Sequence, residues 1–146
     1  MSLRDILKDK VVKDNLVTDC VQLIEHQVAA KGGLSGLGLK ATYGVVKGIG
    51  PAYIPGAIER LLPEALNALD PIWHEGLDAG DPVAYLSQHQ RRAADCLLST
   101  TDARIERTNN GLVKASYNKL RESVKGDVEA AIPGLANILA TRVLVA

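Results

Sequence analysis

Apolar residues recur along this chain at steps of three and four. Leu16, Cys20, Leu23, Ile24 and Val28 fall on one side of a helical projection, and Lys31-Gly32-Gly33 follows them. The glycine pair predicts the end of that helix, because glycine takes the left-handed conformation at little cost. Ser35 is the predicted cap of a second helix, through Lys40 and Tyr43 to the turn Gly48-Ile49-Gly50-Pro51. Beyond the turn, Ile58, Leu61, Leu62, Leu66, Leu69 and Trp73 form another apolar stripe, crossed by Pro63 and Pro71. Proline lacks the backbone donor that a helix interior needs, so short segments are expected here rather than one rod. Asp81-Pro82 is a cap followed by a first helical position. A helix through Tyr85 and Leu86 then leads to one bearing Ala93, Cys96, Leu97, Thr100 and Ile105, which stops near Asn109-Asn110-Gly111. Leu120, Val124, Val128, Ile132, Leu135 and Leu139 carry the pattern onward, with a break expected at Pro133. No run of alternating β-branched residues intervenes. The predicted fold class is all-α, a multi-helix bundle forming a single domain over residues 1–146.

The two halves resemble each other. Lys40 to Tyr43 (KATY) lies over Lys114 to Tyr117 (KASY) at an offset of 74, and Ala57–Leu69 lies over Asp127–Leu139 at an offset of 70. In the second alignment Glu59 meets Glu129, Pro63 meets Pro133 and Asn67 meets Asn137. Asp19-Cys20 and Asp95-Cys96 extend the correspondence upstream. An ordered set of matches with small changes of offset at turns is the mark of an internal repeat. The expected architecture is therefore two duplicated helical units, 1–79 and 80–146, sharing one core.

Composition narrows the function. The chain has 146 residues, 47% hydrophobic and 23% charged, with a formal net charge of +0. No positive surplus exists to hold a nucleic-acid backbone, and aromatics at 3% offer few stacking platforms for bases. Nucleic acid is not an expected partner. The uncharged runs between Lys47 and Glu59 and between Glu129 and Arg142 are too short to span a bilayer. The charged start MSLRDILKDK lacks the apolar run of a secretory signal, and the isolated Cys20 and Cys96 read as free thiols. Both observations lead to the expectation of a cytoplasmic protein.

The glycine-rich stretch KGGLSGLGLKATYG raises the question of phosphate binding. A P-loop needs GxxxxGK[ST], whereas Leu39 intervenes here between Gly38 and Lys40. The looser dinucleotide pattern fits Gly36–Ala41, yet both motifs work only after a β-strand, and a helix precedes this one. Gly36, Gly44 and Gly48 instead predict close packing of the helix on a neighbour. His74-Glu75-Gly76-Leu77-Asp78 has Asp where a zinc-binding helix needs its second His, so no metal site is expected. No nucleophile elbow and no cofactor motif are present.

Candidate binding residues are the polar positions common to both halves: Lys40, Tyr43, Glu59 and Asn67 with Lys114, Tyr117, Glu129 and Asn137. Around a pseudo-twofold axis they could converge at the junction of the halves. The alternative is that each satisfies a local hydrogen bond or ion pair. No catalytic residue is assigned.

Ser2-Leu3-Arg4-Asp5-Ile6-Leu7, Lys31-Gly-Gly-Leu-Ser-Gly36, Leu61-Leu62-Pro63, Tyr85-Leu86 and Lys114-Ala115-Ser116-Tyr117 are spread over most of the chain. On these motifs the chain resembles a family of small bacterial proteins catalogued only as a domain of unknown function. The resemblance implies a bacterial, cytoplasmic, helical protein and supplies no activity. The leading expectation is a non-enzymatic interaction module that forms a homo-oligomer, most simply a homodimer. The alternative is a module binding a small apolar or amphipathic ligand between the halves, with Tyr43 and Tyr117 at its mouth. An enzyme built on Glu59 or Glu129 with a Lys or Tyr is the third and weakest reading.

Overall fold

Asp9 ends one helical turn and begins a helix. It closes a 3-10 turn, Leu3–Lys8, and its carboxylate accepts from the amides of Val11 and Val12 to cap α1 (Lys10–Ala30). The computed structural model describes residues 2–144, with side chains except at positions 122, 123 and 144. After α1 follow α2 (Gly33–Lys47), α3 (Tyr53–Asp78), α4 (Pro82–Gln88), α5 (Gln90–Glu106) and α6 (Gly111–Leu144). No strand occurs among the described residues. The fold is all-α.

Glycine and proline punctuate the chain where the sequence predicts. α1 ends at Lys31 in an extended conformation rather than on a left-handed glycine, Gly33 takes its positive φ of 74° as the first residue of α2, and the Asp81 carboxylate caps α4 ahead of Pro82. Ser35 does not cap α2. The cap position is Gly32, whose carbonyl accepts from Gly36, and Ser35 lies within the first turn. The expectation of short segments around the prolines is also wrong, since α3 runs unbroken through Pro63 and Pro71 and α6 through Pro133. Each such proline costs about 3 kcal/mol in a helix interior. Leu62, Leu66, Leu69, Ile72 and Trp73 of α3 are all buried, each contributing about 1.5–3 kcal/mol. Tertiary burial exceeds the local penalty, and the helix continues.

Four helices make the bundle. α1 packs on α3, α3 on α5, α5 on α6 and α6 on α1, leaving α1 opposite α5 and α3 opposite α6. The 3-10 turn lies against α3 and α1, α4 against α3 and α6, and α2 outside the bundle on α1, α6 and α3. One apolar core joins both halves, from Leu3, Leu16 and Trp73 to Leu86, Ile132 and Leu139. Close approach at the α3–α4 corner depends on Gly76, where a Cβ would stand 2.7 Å from the Pro82 Cα.

Candidate functional site

Glu59, Asn67 and Glu129 each stand four residues before a proline, at the turn whose carbonyl has lost its usual amide partner. Their spacing thus belongs to the proline-interrupted turns. Glu59 pairs with Lys13 of α1 at 3.1 Å and Glu129 with Arg91 of α5 at 3.8 Å. Asn67 is exposed, and Asn137 donates from Nδ2 to the Pro133 carbonyl at 3.1 Å. Lys40 and Lys114 are exposed on α2 and α6. The eight candidates occupy separate places: Glu59 lines a groove with Arg4, Lys8 and Lys13, Asn137 a shallow one with Asp19 and Arg142.

The tyrosines belong to two similar clusters. Tyr43 and Lys47, one turn apart on α2, both reach Glu25 of α1, the hydroxyl at 3.5 Å and the ammonium at 3.2 Å. Tyr117 and Arg121, one turn apart on α6, both reach Asp102 of α5. The Tyr117 hydroxyl donates to Asp102 Oδ1, and Arg121 forks onto the carboxylate at 2.8 and 3.1 Å. Thr101 Oγ1 adds a hydrogen bond to the same hydroxyl at 2.7 Å. Burial, followed by the Asp102 hydrogen bond, pushes the Tyr117 phenol up to about 12. The Arg121 guanidinium holds the Asp102 carboxyl below its usual range, with Tyr117 assisting. Burial and Glu25 raise Tyr43 in the same direction. Each cluster ties one helix to its neighbour.

Near the end of the tie between Tyr117 and Asp102 a cleft of about 540 Å³ opens. The end of α2, the start of α3, the end of α5 and the start of α6 enclose it. Ile54, Ile58, Leu61, Ile105 and Val113 form its apolar lining, with Tyr53 and Tyr117 beside them. Arg60, Arg104 and Arg107 complete the wall, and Tyr43 is not part of it. Arg104 and Arg107 share one carboxylate oxygen, Glu64 Oε1, at 3.6 and 3.3 Å.

The outer side of α2 is a second feature. Leu39 and Gly36 face the bundle and are buried, while Leu34, Leu37, Gly38, Ala41, Gly44 and Val45 lie exposed on the opposite side. Leu34 is 87% exposed and Leu37 64%. At Gly44 and Gly48 the expected close packing on a neighbouring helix is not found among the described residues. A Cβ on Gly38 or Gly44 would meet nothing within 4 Å, and one on Gly48 only its own helix. Gly36 alone is crowded, by the carbonyl of Lys31 2.3 Å from its would-be Cβ. The stretch is helical and follows a helix, so no strand-to-helix phosphate loop forms.

Residues 3–143 match a family of unknown function, DUF6918. The chain belongs to that family. No curated protein and no solved structure matches it. DUF6918 carries no assigned activity, so the residues themselves must supply the functional reading. Among the described residues of this DUF6918 chain no helix is long and apolar enough to cross a membrane.

Sequence reasoning found Tyr43 and Tyr117 but missed Glu25, Lys47, Thr101, Asp102 and Arg121. The available signal was a cation four residues after each tyrosine, on the same helix face. The acceptors sit on other helices and differ in type, Glu in one half and Asp in the other. No periodicity links them to the tyrosines.

Proposed function

We propose that this protein is a non-enzymatic self-association module in which the outer face of α2 packs on the same face of a second copy. The uncharged, exposed stripe Leu34, Leu37, Gly38, Ala41, Gly44 and Val45 carries this reading. Glycine in a helix interior costs about 1 kcal/mol relative to alanine, and none of the described residues occupies the space beside Gly38 or Gly44. A second helix pressed against those glycines would use that space. Contact between identical faces gives a closed twofold dimer. Leu37→Glu, at an exposed position, should then produce a folded monomer. Sedimentation over a wide dilution range tests it: a wild-type chain that is monomeric throughout, or a variant that dimerises equally well, defeats the reading. The free thiols of Cys20 and Cys96 support a reducing cytoplasm as the setting.

The same proposal includes duplicated units, 1–79 and 80–146, whose outermost residues 1, 145 and 146 lie outside the described residues. In support, α1 and α5 stand at opposite corners of the bundle, as do α3 and α6. Asp9 links the 3-10 turn to α1 as His89 links α4 to α5. The Tyr43–Lys47–Glu25 and Tyr117–Arg121–Asp102 clusters are alike in kind, and so are the pairs Lys13–Glu59 and Arg91–Glu129, but the α1 and α5 partners stand one or two residues out of the register that Asp19 and Asp95 set. The KATY and KASY segments lie on helices that correspond only if α2 and α3 together match α6. The offset falls from 74 at Lys47/Arg121 to 70 at Ile58/Val128, and the four extra residues fall at the turn after α2.

A second reading, an amphipathic ligand between the halves, is favoured by the cleft. Ile54 and Ile58 come from one half and Ile105, Val113 and Tyr117 from the other. Native mass spectrometry of the freshly purified chain tests it through a retained small molecule.

A further inference from the structure

We infer that the cleft takes a single-chain fatty acyl anion, its chain along Ile54, Ile58, Leu61, Ile105 and Val113 and its carboxylate on Arg60, Arg104 and Arg107. The inference rests on the ligand reading of the cleft and adds the charge and shape of the ligand.

Charge carries the first part. The chain as a whole is neutral, yet among the described residues the cleft lining holds three guanidinium groups and no carboxylate. Glu64, beside the lining, offers a single oxygen to both Arg104 and Arg107, and neither contact is shorter than 3.3 Å. Asp102, behind Tyr117, is engaged by the Arg121 fork. Arg60 and Arg107 are exposed at the mouth, where an incoming carboxylate can reach them. A guanidinium presents paired donors matched to the two oxygens of a carboxylate. The starts of α3 and α6 and the ends of α2 and α5 border the cleft together, so their opposite dipole ends offset and the charge preference rests on the arginines.

The lining supplies the second part. Its apolar residues are aliphatic, joined only by the rings of Tyr53 and Tyr117. A flexible, unbranched chain fits such walls, and 540 Å³ lies within the usual range of ligand clefts. Acyl chain and carboxylate together describe an amphiphile that uses both the aliphatic and the guanidinium side chains of the lining.

Calorimetric titration of the full chain with sodium laurate, below its micelle concentration, is the test. Dodecyltrimethylammonium provides the same tail with the opposite charge, and acetate the head without the tail. One equivalent of laurate should bind, at least about tenfold more tightly than either control. Arg104→Ala/Arg107→Ala should weaken laurate by about tenfold or more, with circular dichroism and sedimentation unchanged. Arg60→Ala, on a different helix, should weaken it too, which keeps the test sound if the double variant fails to fold. Equal binding of the cationic amphiphile overturns the anion assignment while leaving a ligand cleft. Binding of none of the three overturns both, and laurate affinity unaffected by the arginine variants removes this cleft as the site. Self-association is read separately by sedimentation, so its failure is distinguishable from these.

Discussion

Glu75 accepts two hydrogen bonds from the Arg92 guanidinium, at 2.9 and 2.7 Å, and one from the Tyr85 hydroxyl at 2.7 Å. The arginine first, and the hydroxyl second, hold its carboxyl down at about 2 against an ordinary 4.5. A carboxyl whose folded value lies below its unfolded value stabilises the fold above the unfolded value, and that contribution disappears as pH falls through the folded one. Between about pH 4.5 and 2 the wild-type chain should therefore lose stability faster than Glu75→Gln, measured as the pH slope of urea midpoints. The Tyr117 phenol behaves in the opposite sense. With its value raised from 10 to about 12, it adds stability below pH 10 that is lost as pH rises through 12. Tyr117→Phe should lack that alkaline loss, and a variant that unfolds along the wild-type curve would show the Asp102 tie to be inconsequential. Only half of each such tie was legible in the sequence. The tyrosines stood out through KATY and KASY, whereas a carboxylate on a neighbouring helix carries no mark of its future partner.

At the scale of elements, turns were the most legible feature, because glycine, proline and asparagine act locally at Lys31–Gly33, Gly48–Pro51, Asp78–Pro82 and Asn109–Gly111. The prolines misled because their effect inside a helix competes with burial that depends on the whole bundle. Glycines likewise acquire meaning only from neighbours. Gly76 faces Pro82 of the next helix, so Gly76→Ala must displace α4 and should cost about 1–3 kcal/mol. Gly126, inside α6 with nothing among the described residues near its would-be Cβ, should give the reverse, a gain of up to about 1 kcal/mol as alanine. Thermal denaturation of the two variants compares them directly, and equal effects would contradict the packing at the α3–α4 corner.

For the molecule as a whole, the shared core means that neither half encloses its own apolar surface. α3 packs on α4 and α5 of the other half, and α6 on α1. Residues 1–79 and 80–146 made separately should each lack a cooperative unfolding transition, and mixing them should restore helicity by circular dichroism. Two independently folded fragments would contradict the single core. An all-helical chain was legible from periodicity alone. The bundle corners, the cleft and the outward face of α2 were not, since each depends on which helix becomes whose neighbour. Self-association through that face of α2 is tested most directly by sedimentation equilibrium of the wild-type chain beside Leu37→Glu/Val45→Glu. A wild-type dimer dissociating on dilution, with a monomeric and equally helical double variant, is the predicted result. The same mass for both proteins at every concentration would contradict it.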